Sequence, residues 1–243
     1  MAYFIASCSC GKDSLAMVYR LMKENYPLDE IVFYDTGMEF SAIYKNWGEL
    51  IRKAWEKGIN TTMLTPEIGF LYKMLSKPVN VGKENEHKGY SWCGGVCRWG
   101  TTDKLKYLDK YAEDKNAIVY VGIAADELNR IKKERKQYKS FPLVDWGMTE
   151  KDCLQYCRGI GVNWREGDVD LYDILDRVSC WCCGNKNLWE LYNMWKYLPE
   201  YWRKLEKLQE LNCRPFKKTK SIQEIKYLFE SGYVPKKRNR GNE

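Results

Sequence analysis

The sequence predicts an α/β fold: a parallel sheet with helices on both faces, followed by a helical, cysteine-rich C-terminal region. Three observations predict it. Short β-rich apolar runs alternate with helix-spaced segments through residues 1–125, and such alternation implies a parallel sheet whose faces are covered. The chain opens on an apolar run, a turn of small polar residues and then a helical pattern. Beyond Pro142 the alternation stops, and helix-spaced Trp, Tyr and Leu take over.

Taken in order, residues 3–6 are the first strand candidate, and Leu15, Ala16, Met17 and Leu21 mark the helix after the turn. Residues 31–34 read as a buried strand that Asp35-Thr36-Gly37 stops. Ser41 is the expected cap of the next helix, whose Ile43, Tyr44, Trp47, Leu50, Ile51, Ala54 and Trp55 keep helical spacing until Gly58. Residues 61–64 and 118–123 read as further strands, with a helix over residues 102–111. Thr149 with Asp152 resembles a capping box opening a helix through Cys157, ended by Gly159 or Gly161. Residues 188–211 are helical and broken at Pro199, with their Leu and Trp read as packing. The expected division is an α/β nucleotide-binding domain over residues 1–147 and a helical region with a cysteine cluster and basic tail over residues 148–243.

The 243 residues are 44% hydrophobic and 30% charged, a globular balance. No apolar run approaches the roughly 20 residues of a spanning helix. Residues 1–7 lack the basic start and apolar stretch of a signal peptide. A cytoplasmic protein with no membrane partner is expected. The net charge of +7 points to anionic partners and admits a nucleic acid as substrate. Much of that charge lies in residues 217–240, a tail expected to act chiefly as a solubiliser. A single histidine, His87, excludes histidine triads and multi-histidine zinc sites, and its polar surroundings read as loop surface.

Two motifs carry chemistry. Residues 7–14, Ser-Cys-Ser-Cys-Gly-Lys-Asp-Ser, join the first strand to the first helix. Backbone N–H groups at a helix N-terminus, the helix dipole and Lys12 together make an anion cradle, with Ser9 and Ser14 as hydroxyl donors. Asp13 separates Lys12 from Ser14, so this is not a Walker A loop. The second motif is in the ten cysteines, which in a reducing compartment are not expected to form disulfides. Cys93 with Cys97, and Cys180 with Cys183, supply four soft thiolates that suit tetrahedral zinc or an iron–sulfur cluster. Cys182 is an alternative ligand or a free thiol; Cys153 and Cys157, one helical turn apart, read as structural.

Ser9-Cys10-Gly11-Lys12-Asp13-Ser14 resembles the PP-loop, Ser-Gly-Gly-Lys-Asp-Ser, of the ATP pyrophosphatase and PAPS reductase superfamily, with Cys10 in place of the first glycine. That replacement either strains a backbone needing positive φ or sets a thiol beside the nucleotide. Residues 33–40, residues 122–127 with Arg130, Pro142-Leu143-Val144-Asp145-Trp146 and residues 177–183 resemble further segments of PAPS reductase-like proteins, although Ala124 stands where an arginine is common. The likeness spans residues 3–200 and implies the Rossmann-like sheet of adenine nucleotide alpha-hydrolases. It implies that Ser9, Cys10, Gly11, Lys12, Asp13 and Ser14 lie at the phosphate or sulfate end of an adenine nucleotide. Asp35 and Thr36 would sit at the ligand edge of a neighbouring strand. Asp126 and Glu127 would meet a metal such as Mg²⁺ or the ribose, and Arg98, Lys104 and Arg130 are candidate anion partners. By analogy with adenylyl sulfate reductases and the sulfur-transfer enzymes of DNA phosphorothioation, a 4Fe–4S cluster is favoured over zinc on the four cysteines.

The resemblance implies an enzyme, with two reactions in view. As a PAPS reductase-like oxidoreductase, a thiolate attacks the sulfur of APS or PAPS, and a thioredoxin-like reductant then reduces the adduct. Cys213 is the candidate nucleophile there, with Lys12 and Asp13 at the leaving group, because the family's C-terminal Glu-Cys-Gly is absent. As an ATP pyrophosphatase-type sulfurtransferase, the protein adenylylates a substrate oxygen, releases pyrophosphate and lets sulfur from a donor displace AMP. A third reading, a non-catalytic nucleotide- and metal-binding partner protein, rests on Cys10 and Ala124.

Overall fold

β-branched and aromatic runs build the strands, and amphipathic segments close over them. In the computed structural model, which describes residues 2–93, 95–133 and 136–237, the chain runs β1 (Tyr3–Cys8), α1 (Lys12–Lys23), β2 (Glu30–Tyr34), α2 (Ser41–Trp55), β3 (Asn60–Leu64), α3 (Phe70–Leu75), β4 (Pro78–Val79) and β5 (His87–Lys88). A π-helical turn, Arg98–Thr102, leads to α4 (Asp103–Asp114), β6 (Ala117–Val121), α5 (Leu128–Lys133), β7 (Lys139–Ser140), α6 (Pro142–Asp145) and α7 (Glu150–Gly159). β8 (Arg165–Glu166), β9 (Val169–Asp170), α8 (Leu171–Ile174), α9 (Leu188–Tyr197), α10 (Pro199–Glu210) and α11 (Ile222–Glu230) follow.

Two compact units result. The first gathers residues 1–35, 39–66 and 103–164. It holds an all-parallel five-stranded sheet in the order β3-β2-β1-β6-β7. The chain steps outward from β1 to β3 and returns to β6 on β1's other side, so right-handed crossovers put helices on both faces. β2 is buried at all five residues, as a central parallel strand requires. Leu108 and Tyr111 of α4 cover a core of Ile5, Val32 and Ala117. α7 packs along α1, so the residues just beyond Gly147 belong to this unit rather than to the helical one.

The second unit gathers residues 36–38, 67–102 and 165–243. Two antiparallel pairs, β4 with β5 and β8 with β9, hold its irregular segments. Its aromatic residues do pack: Phe229 of α11 meets Tyr192, Trp195 and Trp202.

Most boundaries follow the sequence pattern. The Thr149–Asp152 capping box is present, α7 ends at Gly159, and Pro199 opens α10. Two expectations fail. Ser41 is the first helical residue of α2, and the N-cap Phe40 offers no side-chain cap. Ile51 and Trp55 keep the expected helical period to the end of α2 but lie outside its buried stripe of Ala42, Ile43, Trp47 and Leu50, Trp55 at 80% exposure. The stretch from residue 217 is not a plain tail: Ser221 and Glu224 form a capping box that opens α11, while residues 238–243 lie outside the described residues. No helix among the described residues is long and apolar enough to cross a membrane.

Candidate nucleotide loop and cysteine knuckles

Residues 9–14 cross from the carboxyl end of β1 to the N-terminus of α1, where the strand order reverses between β1 and β6. Ligands of open parallel sheets bind in that crevice. Gly11 is the N-cap of α1 and carries no side-chain cap, which leaves the first-turn dipole to an anion. Cys10 stands at φ +56, the left-handed region, in the position where the PP-loop has glycine. Of the two sequence expectations for Cys10, this is the strained one. A non-glycine residue there costs on the order of 1–2 kcal/mol, and the surroundings hold it. The Trp164 indole donates to the Cys10 carbonyl at 2.7 Å, and the Cys10 side chain is fully buried. Ser14 Oγ accepts from the Ser9 N–H at 3.1 Å, lies 3.2 Å from Ser9 Oγ and donates to the Gly11 carbonyl. These bonds close the loop on itself. Gly122, just past β6, presses on it: a Cβ there would lie 2.9 Å from Ser14 Cα and 3.0 Å from its nitrogen.

The loop's cation is held by two carboxylates. Lys12 Nζ donates to both Asp13 oxygens, at 2.9 and 3.0 Å, and to Glu150 Oε2 at 2.6 Å. Burial alone would lower the Lys12 pKa, but Asp13 and Glu150 outweigh it and hold the ammonium charged. Burial pushes the Asp13 carboxyl up against the pull of Lys12. The thiols of Cys8 and Cys10 lie 3.9 Å apart in the core. Burial and the neighbouring Cys8 push Cys10 well up. Cys8 goes down despite burial, because the Cys10 thiol and N–H, Ser14 and Lys104 favour its thiolate. Lys104 thus acts on the loop as a positive charge.

Other expected residues are placed as follows. Asp35 directly follows β2 and accepts from Tyr44 Oη at 2.7 Å. Asp126 accepts the Glu150 N–H at 3.0 Å, tying the segment after β6 to the start of α7. Glu127 accepts from the Ala124 N–H and takes both bonds of Arg130 Nη1, at 2.6 and 2.7 Å. Arg130 is therefore paired within its own segment. The side chain of Arg98 lies outside the described residues. Cys153 and Cys157 are fully buried, and burial pushes Cys157 up to about 12, as inert packing thiols require. Glu150 and Trp164 were not legible as loop residues, since no local motif marks a contact 138 or 154 positions away.

In the second unit the two cysteine segments meet. Gly184 lies so close to Cys93 that a Cβ would sit 2.5 Å from the Cys93 carbonyl oxygen. Asn185 clamps the other segment with two bonds, accepting from the Gly95 N–H at 2.9 Å and donating to its carbonyl at 2.6 Å. The Gly100 N–H donates to Cys97 Sγ at 3.1 Å. Thr36 Oγ1 lies 3.4 Å from Cys180 Sγ, and the Trp181 N–H donates to the Met38 carbonyl. Soft donors, an N–H aimed at sulfur and a close backbone approach fit a thiolate-bound metal or cluster. Among the described residues, no three His, Cys, Asp or Glu side chains are gathered as a closed ligand set. His87 lies not in a loop but in the short strand β5, half-buried against β4 and 3.5 Å from Arg214. Cys213 is the exposed cysteine.

The family model of the phosphoadenosine phosphosulfate reductase domain matches residues 3–173. The chain belongs to the PAPS reductase family. The match runs through the sheet, the loop at α1 and α7. An uncharacterized protein of Methanocaldococcus jannaschii is 26% identical over 211 residues, which are 82% of this chain and 39% of that protein. This PAPS reductase family member thus spans well under half the length of that relative. A solved structure, the U34-tRNA thiolase NcsA from Methanococcus maripaludis with its [4Fe-4S] cluster, covers 99% of this chain and 76% of its own, at 13% identity and a TM-score of 0.47. Likeness at that level transfers no function.

Proposed function

We propose that the protein is an adenine-nucleotide enzyme of sulfur chemistry. In this reading residues 9–14 hold pyrophosphate, and a substrate oxygen is adenylylated at the expense of ATP. Sulfur then displaces AMP. One observation carries the nucleotide half: the loop with Lys12 sits at the uncapped N-terminus of α1, at the switch point of a parallel sheet. Ser9 and Ser14 are its hydroxyl donors. Lys12, oriented by Asp13 and Glu150, would neutralise charge that builds on the departing pyrophosphate. Asp126 and Glu127, after β6, are the carboxylates that would hold Mg²⁺. Cys93, Cys97, Cys180 and Cys183 would hold a 4Fe–4S cluster, or zinc in its place. A cluster would supply sulfur handling, and zinc a structural staple.

Cys213 favours sulfur transfer over reduction of adenylyl sulfate. A reductase needs a thiol that travels to the nucleotide. The buried Gln209 pins the Cys213 turn on both sides, donating to the carbonyls of Asn212 and Arg214 and accepting from the N–H groups of Phe216 and Ile222. The reductase reading is kept as second, because the family match itself favours it. It would use Cys213 and a thioredoxin-like partner.

The test supplies either ATP with a sulfide donor or adenylyl sulfate with reduced thioredoxin. Pyrophosphate release from ATP that survives Cys213→Ser supports the sulfurtransferase. Sulfite release from adenylyl sulfate that Cys213→Ser abolishes supports the reductase. Nucleotide binding with neither product would overturn both and leave a binding protein.

A further inference from the structure

The formal charge is unevenly distributed. Residues 196–243 carry 13 Lys and Arg against 6 Asp and Glu, a net of +7. Residues 1–195 carry 27 of each, so the chain's entire net charge lies in its last fifth. That segment walls a groove of about 720 Å³ in the second unit, a size that suits a ligand of one or two nucleotides.

The groove begins at the cysteine knuckle. Asn185, two residues past Cys183, lines it while clamping Gly95. Lys217 lines it too, and its ammonium donates to the Gly184 carbonyl at 2.7 Å and to the Lys186 carbonyl. The opposite wall is residues 233–236, with Tyr233 and Lys236 exposed in it. That wall is anchored where Lys237 Nζ sits 4.5 Å over the Trp189 ring and 3.8 Å from Asp176. Asn187, Leu188 and Trp189 complete the lining. Two aromatic rings, Trp189 and Tyr233, and two lysines, Lys217 and Lys236, in one groove are the means of gripping an unpaired nucleotide. Rings stack on the base and cations meet the phosphate, while the Asn185 and Asn187 amides, bonded to Gly95, Glu190 and Asp176, hold the groove's shape.

We infer that this groove binds single-stranded nucleic acid and presents one nucleotide beside Cys183. The inference deepens the sulfur-transfer reading by naming its acceptor class, and it rests on that reading for its purpose. A duplex buries its bases in the stack, so the groove selects loops, ends or flipped nucleotides.

The test is fluorescence anisotropy on the full chain with a labelled mixed-sequence 20-nucleotide RNA, the matching DNA and the corresponding duplex, at two salt concentrations. Both single strands are expected to bind more tightly than duplex, with affinity falling as salt rises. Whichever strand binds more tightly names the natural source. Tyr233→Ala, an exposed change, should weaken binding about tenfold through the lost stacking. Lys236→Glu should weaken it and flatten the salt dependence. Duplex bound as tightly as single strands, or both variants binding like the parent, would overturn the assignment. Titration with ATP in parallel separates the two claims. Loss of ATP binding in the parent would sink the nucleotide reading alone, and loss of oligonucleotide binding would sink the groove alone.

Discussion

Gly122→Ala is the sharpest perturbation of the nucleotide loop. Gly122 lies outside the left-handed region, so alanine adds no backbone strain there. In open space, the smaller entropy of the unfolded alanine chain would stabilise the fold by about 0.4–1 kcal/mol. The space is not open. The new methyl would lie 2.9 Å from Ser14 Cα, 3.0 Å from its nitrogen and 3.2 Å from the Asp13 carbonyl carbon. All three are backbone atoms of the first turn of α1, so none can rotate aside. Overpacking of that kind costs about 1–3 kcal/mol, which outweighs the entropy gain and leaves a net loss of roughly 1–2 kcal/mol. The displaced turn should also bind nucleotide about tenfold more weakly, since misplacement of such groups by 1 Å can cost a hundredfold. Gly48→Ala is the control. It lies inside α2 with nothing within 4 Å of its Cβ, and should stabilise by about 1 kcal/mol. Urea unfolding and ATP titration calorimetry read both quantities. A Gly122→Ala protein as stable and as tight-binding as the parent would refute the close approach that positions the loop.

Three other outcomes are expected. Trp164→Phe removes the donor to the buried Cys10 carbonyl and should cost about 1–3 kcal/mol in urea unfolding, as an orphaned acceptor does; no loss would mean that the left-handed Cys10 is held by something else. Burial raises Glu30, but Thr62, Tyr111 and Lys115 outweigh it and hold its carboxyl below the ordinary range. Its contribution is therefore present at neutral pH and lost as pH falls through the carboxylate range. Glu30→Gln should lower stability at pH 7 by about 1–3 kcal/mol and flatten the acid limb, and unchanged limbs would contradict this. Anaerobically purified protein should carry iron and sulfide, or else zinc, that is lost in Cys93→Ala and Cys183→Ala but kept in Cys153→Ala; retention in all three would dismiss the knuckles as the site.

The sheet was legible because parallel strands are short apolar runs bounded by turn residues, as residues 3–6 and 31–34 are. The loop was legible because an anion cradle needs small residues and a lysine at a fixed place. The left-handed backbone of Cys10 was one of the two outcomes that the replaced glycine left open. What escaped depends on distance in sequence. Glu150 on Lys12 and Trp164 on Cys10 are contacts that no local pattern encodes. The two-residue edge strand β7 is too short to have a period. α11 was hidden by its lysines, which read as tail until Ser221 is seen to cap it. In α2 a regular period ran on through Ile51 and Trp55, and periodicity alone cannot tell which face the sheet covers.

The central claim is that residues 9–14 hold the phosphate end of an adenine nucleotide. Calorimetric titration of ATP into the parent and Lys12→Ala proteins, with circular dichroism to confirm that both fold, tests it most directly. Saturable binding to the parent, weakened at least tenfold in Lys12→Ala, is the predicted result. Binding that is equal in the two proteins would contradict it.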